Sequence, residues 1–384
     1  MGDHKVSSIN ELGKNKRYFS LDVLRGITIA LMILVNTPGS WAHIYPPLKH
    51  AAWHGFTPTD WVFPSFLFVI GNAMSFSQKK YKSLSEAVFL KKIIKRAVLI
   101  FAIGLFLNAF PFVYRHEGEL VFKNLENIRV MGVLQRIALC YLFASLLLHH
   151  LTLKKSIIFG SLILIAYWII MWVFGDQPHP FLLENNAALK FDNLMFRSDN
   201  LYKGFGLPFD PEGLLSTLPA VVNVIAGYVA GIFIQKSGNN FRAIIRLSLA
   251  GLLLLVVAKI WGIWFPINKP FWSSSYVLYS IGWTLLVLSR LILFIEIYAI
   301  KKWAAFFDTF GKNPLFIFVM SGLIVMLINV IYLKGLALKT WLYQKFYLSW
   351  LDNYEASLLF AISYMLLMWL MGYFLHRKRI YIKV

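Results

Sequence analysis

The chain has 384 residues, 58% of them hydrophobic and only 15% charged, yet its formal net charge is +20. A soluble domain carries roughly 25% charged residues, so the composition argues against a soluble globular enzyme and for lipid as the solvent. One cysteine excludes disulfides within the chain and cysteine metal clusters.

Taken in chain order, residues 1–17 are polar and lack the apolar core and cleavage pattern of a secretory signal. The first apolar run therefore has to serve as an uncleaved signal anchor. Apolar runs then recur at 19–37, 60–77, 95–113, 131–149, 156–174, 214–234, 243–265, 276–296, 305–333 and 355–375. About ten such runs, each near the 20 residues that span about 30 Å of hydrocarbon, predict an all-α, polytopic membrane helix bundle. Asn313-Pro314 is the place where the ninth run would break. The first run contains Asp22, Arg25 and Asn36, and Asp60 opens the second. Ionisable groups at membrane depth are costly and point to function, although Asp22 and Arg25, three apart on one helix face, also suit an ion pair. Between the two runs lie His43, His50 and His54. His50 and His54 stand four apart, but Pro46, Pro47 and Gly55 interrupt a helix there and no third ligand is evident, so no metal is expected. Cys140, inside the fourth run, suits inert packing.

The loop 175–213 is the longest piece outside the apolar runs. It ends in LPFDPEGLLST, which predicts a helix start with Asp210 as N-cap, Pro211 at the first helical position and Glu212 in the first turn. Capping accounts for both acids; holding a cationic or polyhydroxyl substrate is the alternative. Lys91, Lys92, Lys95 and Arg96, with Lys79, Lys80 and Lys82, fall in one loop, and Arg377, Lys378, Arg379 and Lys383 close the chain. By the positive-inside rule both termini are cytoplasmic and loop 175–213 is outside. The charge is thus a topology signal that suits anionic headgroups, and nucleic acid is not an expected partner. The domain reading is a cytoplasmic segment 1–18, a membrane domain 19–375 and a basic cytoplasmic tail 376–384.

The stretches FSLDVLRGITIALMILVNTPG and LKHAAWHGFTPTDWVFPSFLFVIG resemble the heparan-α-glucosaminide N-acetyltransferase family, which is lysosomal in animals and has many bacterial relatives. IRVMGVLQRIALCY at 128–141, FDPEGLLSTLPA at 209–220, PINKPFWSSSYVLYS at 266–280 and GKNPLFIF at 311–318 extend the resemblance in family order. The resemblance implies a bacterial inner-membrane enzyme that moves acetyl from cytoplasmic acetyl-CoA to the amine of a glucosamine-type sugar on the far side. The family's active histidine falls in Lys49-His50-Ala51, so His50 is implied as general base or as an acetyl-accepting nucleophile.

Around that centre, Asn36 is expected to hydrogen-bond the thioester carbonyl, and Asp60 to orient His50 or accept the sugar ammonium; interhelical bonding and helix capping compete. Arg25, Lys312, Asn313 and the basic loop 91–96 are candidate partners for the CoA phosphates, with the positive-inside signal competing for the loop. Arg129, Gln135 and Arg136 are candidates for the sugar hydroxyls or the acetyl carbonyl. Asp210, Glu212, Lys269, Trp272 and Ser273 complete the expected sugar site, with Trp272 as a stacking face or an interfacial anchor. A homodimer stays open. The alternatives are an amino-sugar transporter that couples protons through intramembrane acids and an O-acyltransferase of envelope polysaccharide. The absence of an internal repeat weighs against the transporter.

Overall fold

The computed structural model describes residues 18–81 and 83–382; residues 1–17, Lys82 and Lys383 of the expected cytoplasmic segments lie outside the described residues. The chain forms a helical bundle. In order come α1 (Phe19–Asn36), α2 (Pro58–Tyr81), α3 (Glu86–Ala109), α4 (Val133–His150), α5 (Leu153–Val173), the short α6 (Ala187–Met195), α7 (Thr217–Ser237), α8 (Phe241–Trp261), α9 (Ser274–Leu291), α10 (Ala304–Lys312), α11 (Pro314–Val330), α12 (Leu338–Phe346) and α13 (Asn353–Arg377). Local chemistry explains several starts. Pro58 and Pro314 occupy first helical positions, where a missing N–H costs nothing. Thr152, Asn240 and Ser273 cap α5, α8 and α9 through their side chains.

Among the described residues seven helices are long and apolar enough to cross a membrane, and an eighth is added if the bent pair α10 and α11 counts as one. Ten runs were expected. The runs at 60–77 and 95–113 do form helices of 24 residues each, but neither is in that set. Polar content is the reason: α2 carries Asp60, Asn72 and several serines, and α3 carries Lys91, Lys92, Lys95 and Arg96 in its first half. The ninth run is not a straight span either. It breaks by 83° at Asn313, because Pro314 has no N–H to continue the ladder of α10.

The core is built on very close helix approaches. A Cβ on Gly71 would lie 1.8 Å from the Val224 carbonyl oxygen, and one on Gly227 would lie 1.8 Å from that of Phe68. Glycine at these two positions is what lets α2 and α7 pack backbone to backbone. At the end of the bundle where α1 finishes, β1 (Val113–His116) pairs antiparallel with β2 (Glu119–Phe122). Arg115 lies over the Tyr332 ring of the small hairpin that follows α11. Loop 175–213 is ordered at this end, where Trp53 donates to the Phe181 carbonyl and packs against Phe205, Phe209 and Phe271.

Candidate functional site

The turn that holds His50 is fixed by the start of α2. Asp60, three residues into the helix and 1% exposed, accepts from the Thr57 and Ala51 backbone N–H groups and the Thr57 hydroxyl through Oδ2. A first-turn acid that reaches back to the residue before the helix is half of a capping box. Its other oxygen, Oδ1, lies 2.6 Å from Nδ1 of His50. Capping and orientation of the histidine were competing expectations for Asp60; one carboxylate does both. With Asp60 ionised, the shared hydrogen is assigned to Nδ1, which leaves the lone pair on Nε2 of the half-exposed ring.

Lys269 reaches the same ring from the loop between α8 and α9. Its Nζ lies 3.1 Å from Nε2 and 3.2 Å from Nδ1. Asn268 pins that loop: its side chain donates to the Trp53 carbonyl and accepts from the Phe271 N–H. Trp272 adopts φ +57°, a conformation that costs a bulky residue about 1–3 kcal/mol and persists only where packing enforces it. Burial pulls the Lys269 amine below the ordinary lysine range, while Asp60 and Glu212 oppose that shift. Burial likewise depresses His54.

A second polar cluster stands beside the first. Arg129, in the stretch before α4, grips Asp210 bidentately at 2.8 and 2.6 Å and reaches Glu212 at 2.5 Å. Burial opposes the charge on Arg129, but the two carboxylates outweigh it and raise its pKa. Burial also pushes Glu212 up, and Arg129, Arg136 and Lys269 more than reverse that. The expected helix start at Asp210 is not found: α7 begins at Thr217 with Ser216 before it. Asp210 and Glu212 sit in the preceding turn, held down by Asp192, whose Oδ1 accepts from Leu214 N–H. Asp210 still accepts from the Glu212 N–H as a local cap, but the turn does not run on as helix until Thr217. Burial raises the Asp192 carboxyl to about 7.

The other expected site residues divide by environment. Asn36, Arg129 and Gln135 line one cavity of about 180 Å³ between α1, α3, α4 and α11. Arg25 and Lys312 line a different cavity of about 390 Å³ at the opposite end of the bundle. There Arg25 bonds Asp22 and the Gly311 carbonyl, and Lys312 pairs with Asp308 at 2.9 Å. Asn313 is turned away from that cavity: its amide donates to the Ile380 carbonyl and accepts from the Ile382 N–H. Trp272 offers no stacking face, being fully buried with its indole N–H on Asn223 and the Arg136 guanidinium 4.8 Å above its ring. Ser273 caps α9 and is equally buried. Arg136, also buried, donates to the Gly213 carbonyl and the Ser216 hydroxyl. Among the described residues no group of three His, Cys, Asp or Glu side chains could hold a metal.

Sequence reasoning passed over Asn108 and Tyr276, whereas Arg96 belongs to the basic loop 91–96 weighed for the CoA phosphates. Arg96 lines the larger cavity, stacked over Tyr141. Asn108 donates to the Arg129 and Met131 carbonyls and so shapes the smaller cavity. Tyr276 donates to the Asp60 carbonyl at 2.7 Å. A lone amide within the apolar end of α3 was the available signal for Asn108; for Tyr276 core packing masked it.

A family model described as heparan-alpha-glucosaminide N-acetyltransferase, catalytic, matches residues 17–242. The chain is 26% identical over 359 residues to heparan-alpha-glucosaminide N-acetyltransferase of Homo sapiens, across 79% of this chain and 52% of that protein. It is 26% identical over 313 residues to the Mus musculus protein of that name, across 67% and 46% respectively. The chain thus spans about half the length of the curated relatives it matches. His50, Asp60, Asn36, Arg129 and Glu212 fall within the family match; Lys269 and Lys312 fall beyond it.

Proposed function

Since the chain belongs to the heparan-alpha-glucosaminide N-acetyltransferase family, we propose that it carries acetyl from acetyl-CoA, entering at the Arg25 end, to an amino-sugar amine at the His50 end. The Arg25 end is cytoplasmic and the His50 end lies outside in this reading, as charge placement suggests. One observation carries it: two cavities at opposite ends of the bundle share four helices as walls, with α2 closing the Arg25 cavity as well, while His50 lines neither. α1 contributes Arg25 to one and Asn36 to the other, α3 contributes Arg96 and Asn108, α4 contributes Tyr141 and Gln135, and α11 contributes Leu315 and Val325. Arg25, Arg96 and Lys312 suit the CoA phosphates, and the apolar wall between the cavities suits the pantetheine arm.

At the other end, His50 takes a proton from the sugar ammonium at Nε2, while Asp60 holds the ring and offsets the imidazolium charge. The neutral amine then attacks the thioester carbonyl. The C–N bond forms, the C–S bond breaks, the nitrogen's second proton goes to the departing CoA thiolate, and the proton held by His50 passes to solvent. If His50 attacks first, the same Nε2 carries the acetyl group and passes it to the amine.

Acetyl-CoA should raise the melting temperature of the detergent-solubilised protein, because a ligand bound only to the native state stabilises it by mass action. Arg96→Gln should weaken that shift. Free CoA should appear when glucosamine is added, and a tag in loop 175–213 should be reachable only from outside the cell. No thermal shift at saturating acetyl-CoA, or a tag reachable only from the cytoplasm, would sink this reading.

A further inference from the structure

We infer that Lys269 is a catalytic residue, donating a hydrogen bond from its ammonium to the oxygen that becomes negative in the tetrahedral intermediate. The inference deepens the acetyl-transfer reading above and rests on it. Acyl transfer needs a donor aimed at the developing oxyanion, and Asn36 was the sequence-based expectation for it. Asn36 lies in the small cavity with Gln135, whereas the cation that touches His50 is Lys269, 3.1 Å from Nε2.

On either route the carbonyl carbon under attack sits against Nε2, bonded to it or separated from it by the acceptor nitrogen. Its oxygen is therefore within reach of an amine already in contact with that nitrogen. When the acceptor amine or Nε2 forms its bond to carbon, the carbonyl π pair moves to oxygen. Lys269 meets that charge without transferring its proton, and collapse of the intermediate expels the CoA thiolate. Two further features fit this role. The Lys269 loop is held by Asn268 and by the enforced backbone of Trp272, so the donor is placed before the reaction starts. Asp60 and Glu212 face the ammonium and Arg136 and His50 share its surroundings, so the cation is balanced rather than isolated.

An oxyanion donor and a sugar-binding lysine separate kinetically. Lys269→Met should lower kcat about 10²- to 10³-fold, leave the acceptor KM within a few-fold of wild type, and leave the acetyl-CoA thermal shift intact. Lys269→Arg, which keeps a donor cation, should recover part of the loss. A second readout is the pH profile. Lys269 loses its proton at lower pH than an ordinary lysine, so wild-type kcat should fall on an alkaline limb, and Lys269→Arg should carry that limb to higher pH. If the Met variant fails to fold, the comparison of the two limbs decides alone. A rise in KM with kcat unchanged would reduce Lys269 to a sugar ligand and overturn the inference, as would an alkaline limb unmoved by Lys269→Arg. Wild-type protein that binds no acetyl-CoA and releases no CoA would instead bring down the acetyl-transfer reading itself.

Discussion

His50→Ala should abolish acetyl transfer while leaving a folded protein that still binds acetyl-CoA. Folding survives because Asp60 keeps its bonds to Thr57 and Ala51 when the imidazole is removed. The half-exposed ring itself supports little of the core. Loss of a general base costs about 10²- to 10⁴-fold, and loss of a covalent carrier should cost all turnover through that route. Radiolabelled acetyl-CoA without sugar separates the two: label retained on wild type and absent from His50→Ala supports the acetyl-histidine. No retained label with normal turnover supports direct attack. Near-full activity in His50→Ala would remove the histidine from the mechanism.

Arg129→Met should be the most destabilising single change outside the helix contacts. It leaves Asp210 and Glu212, 1% and 7% exposed, facing each other without their shared cation. Breaking a buried pair by removing one partner costs about 3–5 kcal/mol, chiefly through the charge left behind. Melting curves in detergent should show the loss. Arg129→Lys should recover only part of it, because an ammonium cannot reproduce the bidentate grip on Asp210. A triple variant that combines Arg129→Met with Asp210→Asn and Glu212→Gln should melt well above the single variant. Equal melting of single variant and wild type would mean that the cluster is hydrated and serves binding alone.

Much of this was legible in the chain. Apolar run length pointed to the bundle, and the Asn313-Pro314 pair marked the bend that splits the ninth run. His50 and Asp60 stand ten residues apart, and their meeting follows from a short loop ending in a helix whose first turn needs an acceptor. Contacts made by distant segments were not legible. The PFDPEG turn reads as a helix start because capping rules are local, and Arg129, which captures both of its acids, lies 81 residues before Asp210. Trp272 reads as an exposed sugar platform until Asn223 and Arg136, from two other helices, are seen to enclose it. Lys269 was assigned to the sugar site from its loop; its contact with the His50 ring depends on how α8 and α9 are placed against α2.

Asn313 ties the far end of the polypeptide to the bend between α10 and α11, and Ile382 thereby becomes part of the wall of the cationic cavity. The residues just past α13 therefore complete the wall of the cavity proposed above for the donor. Removing both bonds with Asn313→Ala should therefore loosen Ile382 from that wall and weaken any acetyl-CoA thermal shift, with His50 and Asp60 untouched.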